Sequence, residues 1–186
     1  MSLKHITLTG LPGVGKTTLI KKLSLQLKEN NIATNGFYTE EIRNENGNRI
    51  GFDIVTLDGK RGKLARSLSE TPPQQQTKFR VGQYVVFPTE FENLVLPLFK
   101  KETKVMIIDE IGKMESFSQE FKRTVLPYYK KNDLLILATI PLKKTQIPFI
   151  EEIRRDPNTK LFIVDKNTRN NIDKDILNDI VSVLKI

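Results

Sequence analysis

Gly10-Leu11-Pro12-Gly13-Val14-Gly15-Lys16-Thr17 decides the reading of this chain. The stretch fits the pattern G-x-x-x-x-G-K-[ST], the phosphate-binding P-loop. Its flanks suit that reading. Leu3-Lys4-His5-Ile6-Thr7-Leu8-Thr9 reads as a short strand before it, and Leu19, Ile20, Leu23 and Leu27 form one apolar helical stripe after it. Glycines let the backbone curl so that its N–H groups converge on an anion, and a helix N-terminus adds unpaired N–H groups and a positive dipole end. Lys16 supplies a mobile charge for β- and γ-phosphates, and the Thr17 hydroxyl is a ligand for Mg2+.

Working outward, the first helix is expected to end near Asn30-Asn31. The run Gly36–Ile42 reads as a strand, Asn46-Gly47 as a hairpin signal and Ile50–Leu57 as a second strand, with a further turn at Asp58-Gly59. Residues 36–66 are therefore expected to form an antiparallel excursion attached to the main sheet. Residues 69–76, with Pro72-Pro73 and three glutamines, read as a loop, and 81–87 as a short strand or a crossing loop. Thr89 and Glu92 have capping-box spacing at the start of a helix, with Pro97 placed to kink or end it. Lys104–Ile108 is continuously apolar after its first residue, the pattern of a parallel strand buried on both faces. Then come a helix over 116–131, a buried strand over 134–139, a short helix at 148–155, a last strand at 161–164 and a closing helix marked by Ile172, Ile176 and Ile180. Strands alternating with helices imply an α/β sheet with right-handed crossovers.

The 186 residues suit one domain, spanning 1–186, with a proper core. Hydrophobic residues make up 38% and charged residues 28%, an ordinary globular balance. No apolar run approaches membrane-spanning length. The chain enters a strand at once, so no signal peptide is expected, and a cytoplasmic location is. There is no cysteine, which excludes disulfides, thiol catalysis and Cys-based zinc sites. The net charge of +8 raises the question of a nucleic-acid partner, but the basic residues are scattered among acids, and no aromatic cluster offers a stacking surface. The single histidine, His5, lies in a buried strand and is read as structural.

Asp109 and Glu110 follow the apolar strand at its carboxyl end, the edge at which open α/β sheets bind ligands. Asp109 is the natural Walker-B aspartate for Mg2+. Glu110, one residue on, is expected on the other side of the strand, as a group that orients or deprotonates an attacking water.

Several blocks stand together in order: the P-loop, Gly36–Glu41, Ile50–Asp53, Arg80–Val86 and Ile108-Asp109-Glu110-Ile111-Gly112-Lys113-Met114-Glu115. With them the chain closely resembles the nucleoside-triphosphatase family that includes the human cancer-related nucleoside triphosphatase and archaeal and thermophilic bacterial relatives. The resemblance runs from Lys4 to about Asn171. It implies a RecA-like P-loop NTPase fold, a mostly parallel sheet flanked by helices, and Mg2+-dependent hydrolysis of ATP, GTP and other nucleoside triphosphates to diphosphates. It also implies two nucleotide-binding segments, residues 10–17 and Val105-Met106-Ile107-Ile108-Asp109-Glu110-Ile111-Gly112. Lys16 and Glu110 are then the catalytic candidates, and Thr17 and Asp109 the metal ligands.

Two other readings remain open: a P-loop kinase for a small molecule or nucleotide, and an NTPase stimulated by nucleic acid. A guanine-specific switch is disfavoured, because Asp165-Lys166-Asn167-Thr168 lacks the order Asn/Thr-Lys-x-Asp; the segment is nonetheless placed to pack beside a base. A monomer is favoured. P-loop hydrolases stabilise transition-state charge with an arginine. Arg80, Arg123, Arg154 and Arg155 are the candidates, Arg80 foremost, none expected to be firmly placed in the resting monomer.

Overall fold

The alternation of apolar runs with amphipathic stripes is realised as one sheet between two helical layers. A computed structural model describes residues 3–131 and 133–185. Its strands are β1 (His5–Gly10), β2 (Thr34–Arg43), β3 (Arg49–Thr56), β4 (Arg61–Ser67), β5 (Arg80–Val81), β6 (Tyr84–Val86), β7 (Val105–Ile108), β8 (Leu135–Pro141) and β9 (Thr159–Ile163). Its helices are α1 (Lys16–Glu29), α2 (Pro88–Val95), α3 (Gln119–Tyr128), α4 (Pro148–Arg154) and α5 (Ile172–Leu184).

The strand order is β5-β6-β4-β3-β2-β7-β8-β1-β9. From β2 to β9 the pairing is parallel; from β2 outward to β5 it is antiparallel. The sheet is thus mixed, a parallel core carrying the expected antiparallel excursion. The excursion is fused edge to edge with the core through β2, which pairs with β3 on one side and β7 on the other. Residues 81–87 contribute to β5 and β6 and extend the sheet further.

Strand alternation divides the core. Val105 and Ile107 face a layer with Leu19, Leu23 and Leu27 of α1 and Ile176 and Ile180 of α5. Met106 and Ile108 face Phe91, Phe121, Val125 and Ile150 of α2, α3 and α4. In that second layer Phe37, Phe91 and Phe121 meet edge to face, Phe91 and Phe121 with centroids 5.0 Å apart. Gly36 lies where β2 meets β7. A Cβ there would sit 2.0 Å from the Ile107 carbonyl oxygen, and its φ of +137° suits glycine alone.

Two element boundaries differ from expectation. Thr89 is not the cap of α2: Pro88 occupies the first turn, so Phe87 stands at the N-cap, without a side-chain bond. Glu92 instead accepts from the Ser118 hydroxyl at 2.6 Å. That same Ser118 caps α3 by accepting from the Phe121 N–H, so the helix expected over 116–131 begins at Gln119 after a 3-10 turn at Glu115–Phe117. Pro97 acts as expected, and the chain passes from α2 into a 3-10 turn at Leu96–Lys100. His5 is structural: its Nε2 donates to the Tyr129 carbonyl and its Nδ1 accepts from the Ile136 N–H. Burial holds its pKa below the ordinary value.

Candidate active site

Parallel pairing brings the carboxyl ends of β7, β8 and β1 to one edge. Gly10 is in register with Pro141, and Ile108 with Ala138. The P-loop therefore leaves the sheet beside the segment that carries Asp109 and Glu110. Gly13 and Gly15 take φ of +74° and +109°, which curls the loop into the start of α1. Gly10 is needed for a different reason: a Cβ there would lie 2.3 Å from the Val164 carbonyl oxygen. Lys16 lies folded over the loop, its Nζ donating to the carbonyls of Gly10 at 3.0 Å and Leu11 at 3.2 Å.

Asp109 is 1% exposed. Its Oδ1 accepts from the Thr139 hydroxyl at 2.6 Å, and its backbone is fixed by Asp109 N–H to Phe37 and by the Thr39 hydroxyl. Its Oδ2 is buried with no hydrogen-bond partner among the described residues. Burial pushes the pKa of Asp109 up, and the hydroxyls of Thr139 and Thr17 and the charge of Lys16 pull it back.

Glu110 faces the same side. It lines one cleft with Lys16 and Thr17, rather than turning to the far side of the strand. The reason is that β7 ends at Ile108, so strict alternation no longer governs residues 109 and 110. Burial first, and the neighbouring Asp109 charge second, raise the pKa of Glu110. Behind it Glu115 is buried, its Oε2 accepting from the Gly112 N–H at 3.0 Å. The two glutamates converge on Gly112, where a Cβ would stand 2.9 Å from Glu115 Oε2 and 3.1 Å from Glu110 Oε1. Burial, aided by the Glu110 charge, pushes the Glu115 carboxyl up to about 8. Within the second expected segment, Val105–Ile108 and Ile111 are fully buried core positions and do not line the cleft.

The cleft has a volume of about 750 Å³ and runs from the P-loop to the β2–β3 hairpin. A larger one, about 1180 Å³, opens at the amino ends of the strands near Lys4, Lys104 and Leu135, away from every one of these groups. On the hairpin side Glu40 pairs with Lys21 at 2.5 Å and with Arg61, and Asp53 pairs with Arg61 and Arg66. Lys21 first, then Arg61, holds the Glu40 carboxyl below its usual range.

None of the four expected arginines is among the residues lining the cleft. Arg80 bonds Gln76 on the edge strand β5. Arg123 pairs with Glu120 on the surface of α3. Arg154 reaches Glu151 and the Pro141 carbonyl, and Arg155 follows at the C-cap of α4. Three others are near. Arg43 and Arg49 line the cleft, and Arg169 bonds the Val14 carbonyl at 3.4 Å from the segment after β9. No sequence pattern marked them; Arg43 and Arg49 flank the hairpin turn, and Arg169 lies 155 residues from Val14. In that segment Asp165 accepts from the N–H groups of Asn167 and Thr168, so its carboxylate is engaged in its own turn.

A P-loop opening a helix beside two acids at the carboxyl edge of a mixed α/β sheet defines the class of P-loop NTPases. The comparisons narrow the class. The model of a family described as NTPase matches residues 5–177. The cancer-related nucleoside-triphosphatase of Homo sapiens is 46% identical, over 98% of this chain and 99% of that protein. Nucleoside-triphosphatase THEP1 of Thermotoga maritima is 42% identical over 97% and 95%. The solution structure of a human cancer-related nucleoside triphosphatase superposes with a TM-score of 0.82, covering 96% of this chain and 98% of that one. The crystal structure of THEP1 from Aquifex aeolicus superposes at 0.80 with 37% identity, over 94% and 97%. The chain belongs to the NTPase family, a family of hydrolases.

Proposed function

We propose that this chain, acting as one domain over residues 1–186, hydrolyses ATP, GTP and other nucleoside triphosphates to diphosphate and phosphate with Mg2+. The observation that carries the reading is the single cleft lined by Lys16, Thr17 and Glu110, with Asp109 buried behind it. Loop N–H groups around Gly13 and Gly15 cradle the phosphate chain, and Lys16 leaves the Gly10 and Leu11 carbonyls for the β- and γ-phosphates. Thr17 and Asp109 would hold Mg2+. The partnerless Asp109 Oδ2 fits that role, and two protein oxygens suit an ion that keeps waters and phosphate oxygens as its other ligands. When bound, Mg2+ supplies charge neutralisation at the β- and γ-oxygens.

Glu110 accepts the proton of the attacking water or orients it, and its raised pKa brings its basicity closer to the working pH. The engaged Asp165 carboxylate supports loose reading of the base, hence several nucleotides. We further propose that it acts as a monomer and in the cytoplasm.

The test is phosphate release from ATP, GTP, CTP and UTP, with and without Mg2+ and with no added acceptor. A kinase would need the acceptor. Glu110→Gln should keep nucleotide affinity and lose about 10²–10³ in kcat. Loss of binding instead would make Glu110 a ligand rather than a base.

A further inference from the structure

Resting on that reading, we infer that Arg43 and Arg49, held together by Glu41, are the arginines that stabilise charge on the transferring phosphoryl group. Both line the cleft that holds Lys16, Thr17 and Glu110, and they stand on its opposite wall, at the end of β2 and the start of β3. A single carboxylate grips both: Glu41 Oε2 lies 2.6 Å from Arg43 and Glu41 Oε1 lies 2.6 Å from Arg49. One negative charge therefore answers two positive ones, and the trio carries a surplus positive charge toward the P-loop.

The neighbouring network, in which Lys21, Arg61 and Arg66 share Glu40 and Asp53, also has one cation more than it has acids, but neither Arg61 nor Arg66 lines the cleft. Arg43 and Arg49 are the arginines that bring their surplus charge to it. Glu41 presents two oxygens to two guanidinium groups, the arrangement that phosphate oxygens present. A phosphoryl group can thus take over both partners without the arginines having to gather first. Arg49 also packs over the Phe52 ring, with its guanidinium carbon 5.4 Å from the centroid, and Arg43 is tethered to the Gly47 carbonyl. Both side chains are thereby held near the cleft while remaining about half exposed.

In the hydrolytic step water oxygen bonds to the γ-phosphorus and the β–γ bridging P–O bond breaks. The water proton passes to Glu110, and the electron pair of the broken bond stays on the diphosphate. Negative charge on the equatorial oxygens is what the two arginines meet.

Four proteins decide it: wild type, Arg43→Ala with Arg49→Ala, Arg43→Lys with Arg49→Lys, and Glu41→Gln, with Arg123→Ala as a surface control. Steady-state hydrolysis of MgATP and binding of ADP with and without aluminium fluoride are measured on each. The double alanine variant should lose about 10³-fold or more in kcat, the scale of an arginine at this position. It should keep its ADP affinity and lose the tighter binding that aluminium fluoride confers on wild type. The double lysine variant should recover little, since a point charge does not replace the planar fork. Glu41→Gln should lower KM severalfold, because the amide no longer competes with phosphate.

Wild-type kcat in the double alanine variant would overturn this inference and leave the hydrolase reading intact. So would equal losses in Glu41→Gln and the arginine variants, which mark a structural clasp. Absence of hydrolysis by wild type would overturn both.

Discussion

At the scale of single residues, the acids from 109 to 115 show how environment separates chemically similar groups. Asp109 keeps one oxygen bonded to Thr139 and one bare, Glu110 opens on the cleft, and Glu115 is sealed behind Gly112. Glu115 has a measurable signature. Its ordinary pKa of 4.5 rises to about 8 in the fold. As pH climbs through 4.5 the unfolded chain gives up this proton while the native protein keeps it. Stability therefore falls between about pH 4.5 and about pH 8, and this contribution is flat above. Raising a carboxyl's pKa by one pH unit corresponds to about 1.36 kcal/mol, so the loss is several kcal/mol across the window. Glu115→Gln stays neutral and still accepts from the Gly112 N–H. Its stability should match wild type near pH 4.5 and exceed it by a growing margin up to pH 8, read from urea midpoints. Parallel pH profiles would show Glu115 charged in the native state. In the sequence, Glu115 stood inside a family block with no role attached, because nothing local announces a carboxyl that folds back over a neighbour's glycine.

At the scale of elements, patterns of apolar residues were the reliable guide. The stripe of Leu19, Ile20, Leu23 and Leu27 is fully buried on α1, and Val105–Ile108 is buried on both faces. Capping signals were less reliable: Pro88 opens α2 ahead of Thr89, which leaves the expected cap inside the helix, while α3 is capped by Ser118. The same Ser118 hydroxyl donates to Glu92 on α2, a tie between helices that a local motif does not specify. Ser118→Ala should cost about 1–2 kcal/mol, the usual worth of an N-cap, with part of the loss coming from Glu92 left without this donor. Denaturant unfolding of Ser118→Ala, Glu92→Gln and the double variant would measure the coupling. Strict additivity would mean that the cap and the α2–α3 bond act independently.

At the scale of the whole molecule, nucleotide occupancy and stability are linked. A ligand that binds only the native state at a hundred times its Kd adds about 2.7 kcal/mol. For a chain of this size that corresponds to roughly 5–10 °C in Tm. Saturating MgATP should raise the Tm of wild type by that amount, and Lys16→Ala should remove most of the rise. An unchanged rise would place the phosphates elsewhere than the P-loop. The net charge of +8 has a different reading at this scale. Its cations are scattered along the chain among acids, as Lys22 beside Asp173, Lys101 beside Asp58 and Lys160 beside Asp179 show, so the surplus is spread out and not gathered in one basic run. Single-stranded RNA should therefore alter phosphate release less than about twofold at physiological salt, where weak charge contacts are screened. A strong stimulation that fades with added salt would restore a nucleic-acid partner.

The sequence by itself determined the P-loop, the acids after an apolar strand, the α/β alternation and the antiparallel excursion. These rest on interactions between residues close in the chain: glycine's freedom at positive φ, helical and strand periodicity, and turn chemistry. The tertiary structure alone decided which way Glu110 faces, which carboxyl is sealed away and which arginines share the cleft with Lys16. Thr139 bonds Asp109 across 30 residues of chain, and Arg169 reaches Val14 across 155. Arg43 and Arg49 meet Lys16 only because β2 pairs at once with β3 and with the parallel core. Side chains carry no local record of such partners, since the sheet's register, and not the neighbouring residues, sets who stands opposite whom.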